Sequence, residues 1–374
     1  MSTPVCDLVL LSWNHLEETT PCLESLFQHT DVPARLFIVD NGSEQPVRQF
    51  LHTVRPRGAI QAVTLLQNET NEGFPKGMNR GMRASQASYV CLLNNDLVFA
   101  PAWLSRMLEV AQAHPEIGVL NPTSSTFGNS PPKGISLQAY ARQLEAARGR
   151  YVEVGMCIGF CLLISRPVIE RIGYLHEAVE RIFFEDEDYC MRAKAAGFQC
   201  VVVDSAYVLH HEHKTLRPSP EREVLFNRNR RWCEQRWGRR LRVAYPRLVP
   251  LRPGSEELRR WLEQLVGWAR QRTLIYVYTP FTDGIDGREL FRSVGLVPHA
   301  DISWRRLPKR LISVAATLAI LKRQKKRFDG IIVPDERWAA RLGRLQPLHR
   351  ALVVREGDAA ALAQLWQRRF HFPS

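Results

Sequence analysis

Between residues 5 and 114, short apolar runs alternate with longer stretches of helical spacing, and this alternation constrains the fold more than any other feature. Residues 5–11, 35–39, 60–66 and 89–93 read as strands, and residues 17–28, 76–85 and 101–114 read as helices. Strands separated by helices of this length need crossover connections, so they build a mostly parallel sheet with helices on its faces. Such sheets bind ligands beyond the C-terminal ends of their strands. Three polar clusters fall at those ends: Ser12-Trp13-Asn14, Asp40-Asn41-Gly42-Ser43 and Asn94-Asn95-Asp96.

The pattern then loosens. Residues 123–134 are rich in Ser, Gly, Asn and Pro and read as a flexible loop suited to closing over a ligand. An apolar stretch at 152–164, a helix at 186–196 stopped by Gly197, a strand at 201–203 and a His-rich stretch at 210–213 follow. A break at 218–220 precedes a basic, Trp-containing helix at 221–237, and residues 247–254, with Pro250 and Pro253, read as a linker. The expected organisation is a catalytic domain over residues 1–215, a basic helix and linker over 216–254, and a smaller α/β unit over 255–374.

An apolar fraction of 45% suffices for a full core. No apolar run approaches the roughly 20 residues of a membrane span. The longest, residues 311–321, runs into Lys322, Arg323 and Lys325 and reads as a buried or surface-lying helix. The N-terminus lacks the pattern of a secretory leader, and the eight cysteines form no CxxC pair, so reduced thiols in a cytoplasmic protein are expected. A net charge of +13 favours anionic partners: nucleotides, phosphorylated lipids or an anionic membrane surface bound peripherally. No nucleic-acid motif accompanies the charge, so no specific nucleic acid is expected.

The candidate chemistry lies in acids, amides and histidines. Asp96, just past a strand, can hold a divalent ion against a diphosphate, and oxygen ligands suit Mg²⁺ or Mn²⁺; Asn and Asp are also ordinary turn residues. Asp40 can accept a hydrogen bond from a nucleobase or close a turn with Asn41 and Gly42. The glycine-punctuated run from Asn71 through Lys76 and Asn79 to Gly81 opens a helix, where backbone amides favour phosphate, but it lacks the Walker A ending. Four acids, Glu185-Asp186-Glu187-Asp188, follow Phe183-Phe184. They complement a helix dipole, and a carboxylate beside apolar neighbours can also serve as a general base. His210 and His211 are candidate metal ligands without the paired cysteines of structural zinc.

Taken in order, these segments resemble the family-2 glycosyltransferases. The signatures are Leu10-Leu11-Ser12-Trp13-Asn14, Val39-Asp40-Asn41-Gly42-Ser43, Asn71-Glu72-Gly73-Phe74 with Asn79 and Gly81, Leu93-Asn94-Asn95-Asp96, Gly159-Phe160-Cys161, Phe184-Glu185-Asp186-Glu187-Asp188 and the His pair. They cover roughly residues 5–215 and are most similar to the branch containing rhamnosyl- and other transferases of surface-polysaccharide assembly.

The resemblance implies an inverting enzyme of the GT-A type, with a Rossmann-like central sheet, a nucleotide-diphosphate-sugar donor and a glycan or lipid-linked acceptor. It implies that Asp40 contacts the nucleobase, with Ser12 and Asn14 near it. Asn71, Lys76, Asn79 and Asn95 would line the donor, Asp96 would bind Mg²⁺ or Mn²⁺, and Asp186 would be the catalytic base with Glu185 beside it. The first two positions of the family's DXD motif are Asn94 and Asn95, which leaves fewer charges for a metal. Glu212-His213 replaces the family's glycine-rich continuation, so His210 and His211 both remain candidate ligands. A nucleotidyltransferase would carry a glycine-rich loop after the first strand, where this chain has Ser12-Trp13-Asn14-His15. A non-catalytic sugar-nucleotide binder is the other alternative.

Overall fold

The computed structural model describes residues 4–211, 219–247, 252–280, 286–307, 312–322 and 327–370, without the side chains of 312 and 313. Glu212, His213, Pro218, Pro250 and most of the basic cluster at 322–327 therefore lie outside the described residues. The chain forms two compact units, Met1–Cys233 and Glu234–Ser374.

The first unit opens with β1 (Cys6–Ser12), α1 (Leu16–His29), β2 (Ala34–Asn41), α2 (Gln45–Thr53), β3 (Ile60–Asn68), α3 (Phe74–Ala84) and β4 (Tyr89–Leu93). It continues through β5 (Leu97–Phe99), α4 (Trp103–Ala113), β6 (Ile117–Thr123), α5 (Leu137–Leu144), β7 (Tyr151–Glu153), β8 (Cys161–Ser165), α6 (Arg166–Ile172), α7 (Glu185–Ala195) and β9 (Gln199–His210). Helix α8 (Pro220–Trp237), with proline at its first position, crosses the boundary between the units.

The sheet order is β3-β2-β1-β4-β8-β6-β9-β5, with β7 beside β9. Strands β3, β2, β1 and β4 are mutually parallel; β8 runs antiparallel to β4 and β6, and β6 is parallel to β9. The near-continuous apolar runs of β1, β2 and β4 follow from burial on both faces. Leu8, Leu10, Leu36 and Ile38 face one core, and Val9, Val39, Val90 and Leu92 face the other.

Register aligns the strand ends. Ser12 pairs with Asp40, Leu10 with Leu93, and Leu93 with Cys161. The glycines of α3 are packing residues: a Cβ at Gly81 would lie 2.2 Å from Val9 Cγ1, and one at Gly77 would lie 2.5 Å from Leu11 Cδ1. They let the helix lie flat on β1.

In the second unit, β10 (Leu241–Pro246), β11 (Thr273–Thr279), β12 (Ile302–Arg306), β13 (Gly330–Val333) and β14 (Leu352–Arg355) form an all-parallel sheet ordered β12-β11-β10-β13-β14. Its central strand β10 falls within the stretch that the sequence assigned to helix and linker. Arg242 and Pro246 interrupt its apolar pattern, which hides it. The eight cysteines are buried and form no disulfide. Among the described residues, no helix is long and apolar enough to cross a membrane.

Candidate active site

A chain of contacts at the C-terminal edge of the first sheet joins the predicted site residues. The Asn94 amide donates to Phe160 O at 2.9 Å, which fixes the turn that carries Asp96. His210 stacks on the Phe160 ring at 5.0 Å and 15°, and its Nε2 lies 3.3 Å from Asp96 Oδ1. One residue from Phe160, the Gly159 amide donates to Asp186 Oδ2 at 3.0 Å. Asp96, His210 and Asp186 therefore converge on the short loop 158–160. That loop is held by Asn121, whose side chain bonds Ile158 N, Ile158 O and Cys161 O.

The two candidate histidines differ in geometry. His210 Nδ1 lies 2.9 Å from Thr126 Oγ1, and Ser125 Oγ bonds both the N–H and the carbonyl of His210. The imidazole is thereby turned with Nε2 toward Asp96. His211 is exposed and reaches Asp96 only through its backbone N–H. Part of the loop expected to be flexible is thus tied down: residues 125–127 form a 3-10 turn bonded to β9.

Asp96 is 8% exposed, and its Oδ1 is buried without a hydrogen bond. A hard carboxylate oxygen and an imidazole nitrogen converging on one point suit a divalent cation.

Asp186 and Glu185 open α7 after a strained approach: Arg181, Phe183 and Phe184 have φ of 61°, 81° and 73°. Non-glycine residues persist in this region only where the surroundings hold them there. Burial pushes the Asp186 carboxyl up to about 7, against the pull of the Gly159 and Glu187 amides. Burial, then the charge of Asp186, pushes Glu185 up to about 8. Glu185 Oε2 is buried without a hydrogen bond. The acid run divides its labour, since Asp188 is fully buried and pairs with Arg192 at 2.8 Å.

On the donor side, Asp40 is fully buried; its Oδ1 accepts from Ser43 N at 2.9 Å, and its Oδ2, 3.5 Å from Arg48 Nε, has no hydrogen bond. Thr19, which the sequence reading missed, lies 3.5 Å from Ser12 Oγ and accepts from Asn95 Nδ2 at 2.8 Å, joining the ends of β1 and β4. Asn14 and Ser43 clasp each other's loops, with Asn14 N on Ser43 Oγ and Glu44 N on Asn14 Oδ1. Lys76 is exposed. Asn71 Oδ1 accepts from Gly73 N and Asn41 Nδ2. Asn79 departs from the expected donor-lining position: it is fully buried, and its amide is used by Leu175 N, Leu175 O and Glu177.

The model of Glycosyl transferase family 2 matches residues 7–173, the stretch that supplies Asp40, Asp96 and Gly159. This segment belongs to the family-2 glycosyltransferases. The first unit has the α/β, mostly parallel, helix-flanked sheet that the resemblance implied.

Among its relatives is an uncharacterised protein of Sinorhizobium fredii, 25% identical over 63% of this chain and 28% of that protein. Another is an N-acetylglucosaminyl-diphospho-decaprenol L-rhamnosyltransferase of Mycobacterium tuberculosis, 27% identical over 58% of this chain and 79% of that protein. This chain therefore spans under a third of the rhizobial relative. A solved structure of GalNAc-T7 with UDP, GalNAc and Mn2+ superposes with a TM-score of 0.48 at 13% identity, covering 63% of this chain and 48% of that one. That likeness is too loose to carry a residue's role.

Proposed function

We propose that the first unit transfers a sugar from a nucleotide-diphosphate donor to a hydroxyl of a glycan or lipid-linked acceptor, with inversion at the anomeric carbon. The supporting observation is the convergence of Asp96, His210 and Asp186 on loop 158–160. Asp96 and His210 would hold a divalent cation, Mg²⁺ or Mn²⁺. When bound, such an ion supplies neutralising charge for a diphosphate leaving group.

In this reading Asp186 is the general base. It takes the proton of the acceptor hydroxyl as that oxygen attacks the anomeric carbon from the face opposite the departing nucleotide. A pKa near 7 suits the task, because the group is substantially ionised at neutral pH and still basic enough to accept a proton. Glu185, its own pKa raised by burial and then by the Asp186 charge, stands beside the base. Asp40 would offer Oδ2, which lies beside Arg48 without a hydrogen bond, to a nucleobase N–H, with Ser12, Asn14 and Asn95 forming the adjacent wall. The M. tuberculosis relative acts, by its name, on a lipid-diphosphate-linked sugar, which supports an acceptor of that kind.

A panel of nucleotide-sugars, incubated with the full chain and Mn²⁺ or Mg²⁺, tests the reading. One donor should be hydrolysed slowly and should raise the melting temperature by mass action. Stabilisation without hydrolysis, with any metal and any acceptor, would instead identify a binding protein.

A further inference from the structure

The inward face of α8 passes through residues 222, 226, 229 and 233, at helical spacing. Its far end is anchored: Cys233 is fully buried, and Asn229, 4% exposed, donates to the backbone carbonyls of Glu180 and Ile182. Toward its N-terminus the same face loses cover, and Phe226 is 40% exposed although it points at the body. Beneath it opens a cleft of about 560 Å³, lined by Phe183, Ser219, Pro220, Arg222, Glu223 and Phe226. That volume lies in the range of small-molecule sites.

Phe226 meets Phe183 and Phe184 at ring separations of 5.3 and 5.1 Å, and Arg222 lies 5.3 Å over the Phe183 ring. Phe183 and Phe184 directly precede Glu185 and Asp186 in the chain, so the backbone joins the aromatic wall of the cleft to the candidate base. The helix carries five arginines against three glutamates, and its remaining outward surface is polar apart from Val224. A half-open aromatic wall with a cation at its lip is unusual on a helix this hydrophilic.

We propose that this cleft is the acceptor subsite, and that it holds the start of an apolar chain joined to the accepting sugar through a phosphate or diphosphate. The aromatic rings take the chain and Arg222 faces the anionic link, which leaves the sugar hydroxyl toward Asp186. The inference rests on the transferase reading above and specifies its acceptor class.

The probe is farnesyl diphosphate, kept below its micelle concentration with EDTA present so that a metal-loaded donor site does not compete. Titration of the full chain, followed by calorimetry, should give saturable binding at least tenfold tighter than inorganic diphosphate or farnesol alone. Phe226→Ser should weaken it about tenfold or more, the scale of losing a buried ring, and Arg222→Gln should reduce it toward the affinity for farnesol. Val224→Ser, which alters an apolar residue outside the cleft, should leave it unchanged. Equal affinity for farnesyl diphosphate and farnesol, or equal losses at Phe226 and Val224, would overturn the subsite. Should Phe226→Ser fail to fold, Phe226→Leu and the Arg222 variant give the same comparison. Donor hydrolysis by the wild-type chain is read separately: if it persists while farnesyl diphosphate fails to bind, only the acceptor assignment falls.

Discussion

Asp96 and His210 face each other across 3.3 Å at the end of the sheet, and Thr126 fixes this geometry by holding the far nitrogen of the imidazole. Removing either member of the pair should abolish the metal dependence of nucleotide binding. Partners that orient a metal-bound imidazole typically contribute about 10–100-fold to affinity. Thr126→Val should therefore weaken Mn²⁺-dependent UDP or GDP binding by about tenfold, while His211→Ala leaves it unchanged. Calorimetry with and without Mn²⁺ checks this, and an effect at His211 larger than at His210 would reverse the assignment.

The raised pKa of Asp186 sets an expected pH profile. As the proposed base, Asp186 must be ionised, so kcat/KM for transfer should rise with pH through about 7 and then level off. Asp186→Asn should lower kcat by about 10²–10⁴-fold, the usual contribution of a general base.

The stability effect runs the other way. A carboxyl whose folded pKa is raised above 3.8 contributes stability that is fully present below the unfolded value and lost as pH rises through about 7. The Asn variant should thus gain up to about 4 kcal/mol over wild type at pH 8 and little at pH 4. Denaturant melts at the two pH values measure this, and a variant less stable at pH 8 would remove Asp186 from the set of strained site groups.

Asp7 is a buried carboxylate with an opposite balance. It accepts from Arg35 Nε and Nη2 at 2.7 Å each, from Ser85 Oγ at 2.7 Å, and from the amides of Gln86 and Ala87 at 3.1 Å. Burial raises its pKa, but the hydrogen bonds from Arg35, Ser85 and Ala87 outweigh burial and lower it overall. Its stabilising contribution is present above the unfolded pKa and lost as pH falls through the folded one. Asp7→Asn should cost on the order of 3 kcal/mol at pH 7, with the difference shrinking at acid pH. Unfolding midpoints at pH 7 and pH 3 test both statements.

What the sequence revealed follows period and register. Strands β1, β2 and β4 were legible because both of their faces are buried, which leaves an apolar run that ends abruptly where the ligand edge begins. That ending exposed Asp40 and Asp96. Strand β6 was hidden because Asn121 and Pro122 break its run, although the whole strand is buried. Asn121 is spent on the backbone of loop 158–160. Thr19 and Thr126 carry no local signal, since a lone threonine acquires meaning only from the side chain it meets across the fold. Asn79 misled for the same reason: an amide at a helix start reads as ligand-facing until Leu175 and Glu177 are found on it.

Gly73 links the proposed donor-side loop to the loop that carries the proposed base. The Phe74 amide donates to Arg181 O at 2.6 Å, and a Cβ on Gly73, at φ +85°, would lie 2.6 Å from Arg181 Cα. Backbone cannot swing aside as a side chain can, so Gly73→Ala must displace residues 181–184, and Glu185 and Asp186 with them. Gly134, at the same φ of +85° but with nothing within 4 Å, carries the strain without the clash. Gly134→Ala therefore measures the strain alone, about 1 kcal/mol or more. Gly73→Ala should match that stability loss or exceed it, and in addition lower kcat at least tenfold, the response of a catalytic group moved by a fraction of an ångström to 1 Å. Equal kcat in the two variants would mean that the two loops move independently, and that the position of the base does not depend on the segment opening α3.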